Sequence, residues 1–419
     1  MTNIIELCRI NEKSVKECIL FSIIYNFVRK PSGMEAFFID LDKCGCNMTF
    51  HFYLKLDRKP SIEELDLAFN KTLETHDGIN LMYIKNKWYI SDYIPKCEVK
   101  KIYGDNLYSY KPNRIDFSSH TIALNVLHLV QKDEWYICFD FFHGAVDGRS
   151  GIQFVYEFFD QLNGKETTDN SFTLSDCEIV SCKKTEEKNQ RKIPFTVVPN
   201  CKPSGWLPSK DGDIKECVIK YKSNITSAAA KLSLAVGKCF NKKGAKTIVP
   251  IDIRRFVEDK TKSLFGNLFV PIFLEANKLR NVDEIHTEVI DYVKHKSWLK
   301  TIADNLLIYS KISPKIRKLI IKLYMPIVMT SRKFIYGALV SPLGAIQSER
   351  LTCKNFNVED FAVTLAPFPF TAFSVISLQY NGYTNITISW NSGRVPKKIA
   401  SKLIGNLDDC MTDKQLIYT

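Results

Sequence analysis

The stretch of this chain with the clearest chemical content is residues 141–148, FFHGAVDG, which places a histidine four residues before an Asp-Gly pair. A neutral imidazole with a pKa near ~6.5 can accept a proton near neutral pH, so we predict that His143 is a general base. Asp147 lies about one turn further on and cannot easily reach the same reacting atom. Its predicted role is to hold the segment in place. Gly148 either permits a close approach of substrate or backbone, or is a turn glycine with positive φ.

A buried strand and an amphipathic helix are predicted on either side of this segment. Residues 135–142 are rich in aromatic and β-branched residues, which is typical of a strand. After Gly148, apolar side chains recur at helical spacing, at Ile152, Val155, Tyr156, Phe158 and Phe159. His143 is therefore expected at the end of a strand, where the backbone can hold its ring toward a cavity.

The pattern His-x-x-x-Asp-Gly, continued by Arg149-Ser150-Gly151 and a helix, resembles the motif of the chloramphenicol acetyltransferase-like superfamily. This superfamily includes nonribosomal peptide condensation domains, alcohol acyltransferases and plant-type acyl-CoA-dependent acyltransferases. The resemblance implies a two-lobed α/β fold. In this fold each lobe is a mixed, largely antiparallel sheet flanked by helices, and the active-site tunnel runs between the lobes.

A second stretch, residues 246–276, resembles the same superfamily in the matching order. It contains a strand that ends in an arginine, Arg254, and a Gly-Asn segment, Gly266-Asn267, that begins the next strand. In the family this arginine pairs with the aspartate of the histidine motif, so the resemblance implies a pair between Asp147 and Arg254. A bidentate guanidinium holds a carboxylate in one geometry, which would lock the loop that carries His143.

The resemblance also implies a reaction, the transfer of an acyl group from a thioester to a hydroxyl or amine acceptor. Acyl-CoA is the expected co-substrate, with no bound cofactor. Because a thioester is already activated, no serine or cysteine nucleophile is required. The backbone amide of Gly148 and the side chains of Asn267, Ser377 and Asn381 are candidate oxyanion donors or substrate contacts.

Two other functions stay open at this point. A condensation-like acyltransferase would take a phosphopantetheine-bound acyl group from an acyl carrier protein. Condensation domains usually carry a second histidine just before the catalytic one, and this chain has Phe142 there, which argues against that assignment. A degenerate member of the superfamily would bind a ligand or a partner without catalysis, and the intact His143 and Asp147 argue against it.

The composition indicates a globular protein and gives no support for nucleic-acid or metal binding. Of 419 residues, 45% are apolar and 12% aromatic, which is enough for two full cores. The net charge of +12 is spread along the chain without a known nucleic-acid-binding motif, and a cationic groove suits coenzyme A equally well. The seven histidines and 13 cysteines lack the HExxH or CxxC spacing of metal sites. The cysteines are therefore expected to be reduced, and no metal is expected.

The expected division of the chain is an N-terminal helical extension at residues 1–34, an N-terminal lobe at 35–163, a polar crossover linker at 164–203 and a C-terminal lobe at 204–419. In the N-terminal lobe we predict strands at residues 36–39 and 48–56, followed by a helix at 62–75. Ser61 and Glu64 form a capping box at the start of this helix. His76, at its end, is interpreted as a C-terminal cap and not as a catalytic residue. Asn381-Gly382, between two alternating runs, predicts a hairpin.

No secretion signal and no transmembrane segment are predicted, and the expected location is cytoplasmic. The apolar run at residues 19–24 follows four charged residues and precedes no small-residue cleavage site. Residues 319–329 are interrupted by Lys322 and Pro326 and are shorter than the ~20 residues of a membrane span. The basic helix predicted at residues 310–329 is interpreted as a surface helix with an apolar inner stripe. The alternatives are an interfacial membrane helix and a wall that attracts phosphate.

Overall fold

The computed structural model shows a mixed α/β protein built on two large sheets. It describes residues 27–76, 79–104, 106–107, 110, 114–165, 213–240, 244–257, 264–295, 305–330, 334–411 and 417–418. The predicted fold class, two lobes with largely antiparallel sheets flanked by helices, is confirmed.

The described strands and helices are as follows. The strands are β1 (Phe27–Arg29), β2 (Thr49–Leu56), β3 (Leu81–Ile84), β4 (Lys87–Ile90), β5 (Glu98–Ile102), β6 (Ile122–Leu129), β7 (Glu134–Phe142), β8 (Ile214–Tyr221), β9 (Ala245–Asp252), β10 (Phe269–Ala276), β11 (Tyr336–Ala345), β12 (Val358–Leu365), β13 (Thr371–Tyr380), β14 (Tyr383–Asn391) and β15 (Ile417–Tyr418). The helices are α1 (Gly33–Lys43), α2 (Ile62–Glu74), α3 (Gly148–Leu162), α4 (Ala228–Gly237), α5 (Val282–Lys294), α6 (Pro314–Thr330) and α7 (Lys397–Cys410).

The N-terminal sheet carries the end of β7, from which His143 follows. Its strand order is β12-β2-β7-β6-β5, and its pairs are antiparallel except for β5 with β6. Because side chains alternate along a strand, Phe139 and Phe141 of β7 share one face, and both are fully buried in the core beside α3. A small third sheet, β1-β4-β3, adjoins this core.

The C-terminal sheet has the order β10-β9-β11-β13-β14-β8-β15, in which β11 runs parallel to both β9 and β13. The predicted hairpin at Asn381-Gly382 is confirmed as the connection between β13 and β14. Both turn residues have positive φ, 50° and 75°, which is the geometry that an Asn-Gly turn favours.

Strand β12 joins the two lobes. It lies in the expected C-terminal lobe, yet it pairs along β2 of the N-terminal sheet, from Val358 opposite Leu56 to Leu365 opposite Phe50. The division of the chain at residues 35–163 and 204–419 stays a prediction. Most of the expected linker at 164–203 and residues 1–26 of the expected extension lie outside the described residues.

The predicted strand at residues 36–39 is wrong, because these residues lie within helix α1. Ser32 and Glu35 form a capping box at its start, in which the Ser32 amide donates to the Glu35 carboxylate at 2.7 Å. An apolar run of only four residues does not distinguish a strand from a buried helix. The capping box favours the helix, and Phe38 of this helix stacks on His143.

Among the described residues, no helix is both long enough and apolar enough to cross a membrane.

Candidate active site

His143 follows β7 and is held by both its backbone and its ring. Its backbone amide donates to the carbonyl of Met48 at 2.8 Å, which extends the β2–β7 ladder by one step. The ring stacks on Phe38, with 4.5 Å between the centroids and 13° between the planes, and it meets the edge of Phe50 at 5.3 Å. The residue is 8% exposed. The imidazole is therefore fixed in an aromatic environment.

Burial keeps the His143 ring neutral. Desolvation lowers the pKa of His143 below its ordinary value, and the backbone of His143 and the charge of Asp147 oppose this only in part. Nδ1 is buried and has no hydrogen-bond partner among the described residues. A neutral imidazole has a free lone pair, which is the form that a general base requires.

Asp147 caps helix α3 and is fully engaged in hydrogen bonds. Its carboxylate accepts from the backbone amides of Ser150 at 2.8 Å and Leu268 at 2.7 Å. Arg254 donates two more hydrogen bonds, from Nη1 to Oδ2 at 2.9 Å and from Nη2 to Oδ1 at 3.1 Å. These four bonds occupy the carboxylate and tie the histidine loop to the second lobe.

The Gly266-Asn267 segment completes this connection. The Gly266 amide donates to the Ser150 hydroxyl at 3.0 Å, and the Gly266 carbonyl accepts from the Asp147 amide at 3.2 Å and from Arg254. Gly266 has a φ of 139°, a conformation that L side chains rarely adopt. The glycine therefore lets the backbone of one lobe bond to the histidine loop of the other.

Asn267 positions the backbone of His143. Its Nδ2 donates to the His143 carbonyl at 2.6 Å, and its Oδ1 is buried without a partner among the described residues. It does not line the cavity beside His143. Because the amide already bonds to protein, its placement favours a positioning role over the predicted oxyanion contact.

The other two side-chain candidates from the second lobe also lie away from the cavity that His143 lines. Ser377 is buried in the middle of β13, and Asn381 is an exposed turn residue of the β13–β14 hairpin. Neither is among the residues that line the cavity. Both residues lie in the predicted lobe, but Ser377 is within the sheet and Asn381 is in the hairpin turn, away from the cavity.

A cavity of about 300 Å³ lies between the two lobes at His143, and we call it the histidine cavity. It is bounded by Gly148 at the start of α3 and by Ser341 and Leu343 of β11. A Cβ on Gly148 would lie 2.7 Å from a methyl carbon of Leu343. Gly148 is helical and is absent from the positive-φ residues, so its close approach, and not a turn, explains the glycine.

Ser341, Arg149 and Arg255 line the histidine cavity and were not recognised as site residues from the sequence. Arg149 follows the motif glycine and Arg255 follows Arg254, and both side chains are exposed. Ser341 lies on β11 within a run of small and apolar residues that contains no motif. Only the parallel pairing of β11 with β9 brings it near the histidine loop.

A second cavity, of about 320 Å³ and almost wholly apolar, adjoins the first, and we call it the apolar cavity. Phe269, Leu339 and Phe368 line both cavities, and Phe38, which stacks on His143, lines the apolar one. Phe368 also lines a third, larger cavity of about 650 Å³, whose lining residues include Lys43. The three cavities thus adjoin one another at Phe368, and His143 lines the first of them.

The described residues contain one set of three metal-type donors, His51, Cys138 and Asp140, whose ligand atoms lie within 4.8 Å of one another. His51 Nδ1 lies 2.6 Å from Asp140 Oδ1, and Cys138 donates to the same oxygen. Asn125 donates to the other carboxylate oxygen at 2.9 Å. Protein groups therefore satisfy this carboxylate, and none of the three donors lines the histidine cavity. The expectation of no catalytic metal stays a prediction.

His76 is not the C-terminal cap of α2, because the cap residue is Thr75. The His76 side chain is buried instead, with Nε2 in a short contact with Oε2 of Glu157 on α3. Burial raises the pKa of Glu157 to about 7, so near neutrality its carboxyl can carry a proton toward the imidazole. This pair fastens α2 to α3 behind the histidine loop.

The fold matches that of several solved structures. Trichothecene 15-O-acetyltransferase from Fusarium sporotrichioides superposes with a TM-score of 0.58 at 12% identity, covering 91% of this chain and 94% of that one. Polyketide synthase associated protein 5 from Mycobacterium tuberculosis gives 0.57 at 13% identity, with coverages of 92% and 97%. The condensation domain of the monacolin K polyketide synthase gives 0.56 at 9% identity, with coverages of 93% and 98%.

The chain has the chloramphenicol acetyltransferase-like fold. Comparison of its sequence with protein-family models and with curated proteins finds no match. The recognition of this fold therefore rests on its architecture and on the order of two short motifs.

Within this fold, Phe142 takes the place that a condensation domain would usually give to a second histidine. Phe142 is fully buried and stacks on Phe117, with 4.4 Å between the ring centroids. It also contacts Trp88 edge to face. The residue before His143 thus belongs to the N-terminal core and does not line the histidine cavity.

Proposed function

We propose that this protein is an acyltransferase that moves an acyl group from acyl-CoA to a hydroxyl or amine acceptor. His143 takes the proton from the acceptor, whose oxygen or nitrogen attacks the thioester carbonyl. The tetrahedral intermediate then collapses with cleavage of the C–S bond. The thiolate leaves and takes the proton back from the His143 imidazolium, so the enzyme ends the cycle unchanged.

The observation that carries the proposal is the state of His143. The ring is neutral because it is buried, it is held by Phe38 and the β2–β7 ladder, and it lines a cavity between two lobes. Nδ1 is enclosed by protein, so Nε2 is the nitrogen that we assign to proton transfer. A base held in this way typically contributes ~10²–10⁴-fold to the rate.

Two arginines support an anionic donor such as coenzyme A. Arg149 and Arg255 line the histidine cavity and are exposed, and each carries a permanent positive charge. Guanidinium groups bind phosphate oxygens in bidentate geometry. The 3′-phosphate and pyrophosphate of coenzyme A would then stay at the rim while the thioester reaches His143.

Ser341 is the side chain that we assign to the oxyanion. Ser341 is on β11 and lines the histidine cavity, whereas Asn267, Ser377 and Asn381 do not line it. The backbone amide of Gly148 is a second donor candidate, since this residue begins α3 and lines the same cavity. A hydroxyl and an amide at fixed positions can stabilise developing negative charge without rearrangement.

The apolar cavity supports a substrate with an apolar part. Its walls are aromatic and aliphatic side chains of α1, β10, α6 and β11, and it meets the histidine cavity at Phe269, Leu339 and Phe368. Burying a methylene group gains roughly 0.8 kcal/mol, so each added carbon that reaches this cavity strengthens binding. We assign the cavity to an acyl chain or an apolar acceptor.

A carrier-bound donor is the alternative, and the likeness to a condensation domain supports it at the level of the fold alone. Phosphopantetheine would present the same thioester to His143, with an acyl carrier protein in place of the nucleotide. The buried Phe142 argues against it, because the second histidine of condensation domains is missing. The exposed Arg149 and Arg255 favour the free coenzyme A ester.

The test is thiol release from acyl-CoA donors of increasing chain length, with mixed alcohol and amine acceptors. We expect acceptor-dependent release by the wild type and its loss in His143→Ala. As a matched control, His120→Ala removes a half-buried histidine that bonds to its neighbour Ser119 and does not line the histidine cavity. Release from carrier-bound donors only would favour the alternative. Release from neither donor class would point to a binding protein without catalysis.

A further inference from the structure

Helix α6 turns apolar side chains toward solvent as well as toward the core. Arg317, Ile321 and Met325 recur every four residues and are buried. The opposite side carries a row of exposed apolar residues, Ile316, Leu319, Ile320 and Leu323, which are 53%, 56%, 48% and 64% exposed. The interpretation of a surface helix with only an inner apolar stripe is therefore incomplete.

The orientation of this helix is fixed by a buried ion pair. Arg317 is 1% exposed, and its Nε donates to Oδ2 of Asp40 on α1 at 2.7 Å. A second guanidinium nitrogen donates to the Ile312 carbonyl at 3.2 Å. Rotating α6 to hide its outer residues would break this pair and leave a buried charge unpaired, which is strongly unfavourable. The apolar face is thus a stable feature of the surface.

The charged side chains of α6 are all basic. Residues 305–333 contain seven Lys and Arg residues and no Asp or Glu. Lys315, Lys318 and Lys322 are exposed and, at 100° per residue, lie along one edge of the apolar row. An amphipathic helix with an apolar face and a lysine edge is typical of segments that lie in the interface of an anionic bilayer.

We propose that the α6 face, made of Ile316, Leu319, Ile320 and Leu323 with Lys315, Lys318 and Lys322, docks on an anionic lipid surface. The helix would lie parallel to the membrane, with its leucines and isoleucines among the acyl chains and its lysines at the lipid phosphates. No membrane-spanning segment is needed for this mode of attachment.

Charge complementarity favours lipid over the other occupants of this face. A second copy docked face to face would bring two basic edges together, because a two-fold interface pairs a surface with itself. The N-terminal segment of residues 1–26 contains three acidic and three basic residues, so it offers no excess of negative charge. An anionic bilayer matches both the apolar row and the lysine edge.

Docking would bring the apolar cavity to the membrane. Ile321, Tyr324 and Met325 of α6 line that cavity from the other side of the same helix. An apolar substrate dissolved in the bilayer could then pass along the helix toward His143. This consequence rests on the proposed acyltransferase function, but the docking itself does not.

The experiment is cosedimentation of the full chain with vesicles of phosphatidylcholine, with and without phosphatidylglycerol, at low and at physiological salt. We expect binding that requires phosphatidylglycerol and weakens as salt screens the lysines. Lys315→Gln/Lys318→Gln/Lys322→Gln should weaken binding on the order of 100-fold, since each lysine near the surface contributes roughly fivefold.

The apolar contribution is tested with Leu319→Asp/Leu323→Asp, which should weaken binding roughly tenfold or more. Leu67→Asp is the matched control, because Leu67 on α2 is 56% exposed, the same fraction as Leu319. The control should bind vesicles like the wild type. Thermal unfolding of each variant verifies that it is folded, and all substituted positions are exposed.

Absence of vesicle binding by the wild type would overturn the proposal, as would binding that both α6 variants retain. A dimer in light scattering that Leu319→Asp/Leu323→Asp dissociates, without vesicle binding, would assign the face to a second copy. Vesicle binding only after removal of residues 1–26 would assign it to that segment. These measurements need no catalysis, so their failure is separate from failure of the proposed reaction.

Discussion

Arg254 donates a hydrogen bond from each terminal nitrogen to the carboxylate of Asp147, at 2.9 and 3.1 Å. The two residues are 107 positions apart in the sequence. The two side chains are largely enclosed, with exposed fractions of 18% for Arg254 and 6% for Asp147. Because Asp147 caps α3 four residues after His143, this pair fixes the base of the proposed reaction relative to the second lobe.

Breaking this pair should cost both stability and activity. Asp147→Asn removes one of the two carboxylates that neutralise Arg254, the other being Asp252, whose Oδ1 lies 3.0 Å from Nη1, and we expect a loss of about 1–3 kcal/mol in the free energy of unfolding. Arg254→Lys keeps the positive charge but cannot form the bidentate pair, and we expect a loss of about 1–3 kcal/mol in the free energy of unfolding. Urea unfolding measures both. Arg350→Lys, which alters the more exposed pair with Asp160, is the control and should change little. Equal effects at all three positions would show that the Asp147–Arg254 pair has no special role.

His143→Gln should lower kcat/KM by ~10²–10⁴-fold with little change in stability, because Gln fills similar space without a basic nitrogen. The wild-type pH profile gives a second readout. Burial lowers the pKa of His143, so the ring stays neutral below its ordinary titration range, and the acidic limb of kcat/KM should fall below pH ~6.5. An acidic limb above that value would contradict the assignment of His143.

Burial of His143 also predicts a stability effect of defined sign. The unfolded chain binds the proton more readily than the folded one, so stability rises with pH across the range between the lowered pKa and the ordinary one. His143→Gln should remove this part of the pH dependence. Urea midpoints at pH 5 and 7.5 measure it, and an unchanged difference between wild type and variant would refute a depressed pKa.

Short motifs carried much of what could be predicted from this sequence. The strand-to-helix segment around His143 and the Asn381-Gly382 hairpin depend on the spacing of apolar and turn residues over a few positions. Such spacing predicts secondary structure directly from the sequence. Arg254 was predicted from resemblance. The roles of His143 as a base and of Asp147 and Arg254 in catalysis stay predictions, since only their geometry is now described.

The features that could not be predicted depend on long-range pairing. Ser341 reaches the histidine cavity because β11 runs parallel to β9, and β12 crosses into the N-terminal sheet. Neither pairing leaves a local pattern. The strand predicted at residues 36–39 is wrong for a different reason, because the Ser32-Glu35 capping box is a local signal that favours a helix there.

Gly266→Ala should destabilise the link between the lobes. Its φ of 139° is unfavourable for a residue with a Cβ, and such strain costs on the order of 1–3 kcal/mol. Gly405→Ala is the control, because a Cβ there meets no atom within 4 Å and lies on helix α7, where Ala is favoured. Thermal unfolding should show a lower midpoint for Gly266→Ala and an equal or higher one for Gly405→Ala. Two equal midpoints would refute the conformational argument.

The raised pKa of Glu157 predicts that the folded state loses stability as pH rises. Burial raises its pKa to about 7 from an ordinary value of 4.5, so the folded state binds more protons than the unfolded state between these values. The free energy of unfolding should therefore fall across that window. Glu157→Gln keeps a donor toward His76 but does not titrate, so its stability should be flatter and should exceed that of the wild type above pH 7. Parallel pH profiles of the two proteins would show that Glu157 does not titrate there.

Filling the apolar cavity should change which substrates the protein accepts. Ile335 lines this cavity and is half-buried, so Ile335→Trp adds volume to the cavity with little disturbance of the core. If the cavity holds the acyl chain, the KM for long-chain acyl-CoA should rise while the KM for acetyl-CoA stays the same, because a short chain does not reach it. If it holds an apolar acceptor, the acceptor KM should rise with every donor. Val99→Trp, at an exposed position on β5, is the control and should change neither value. Unchanged donor and acceptor constants in Ile335→Trp would exclude the apolar cavity from substrate binding.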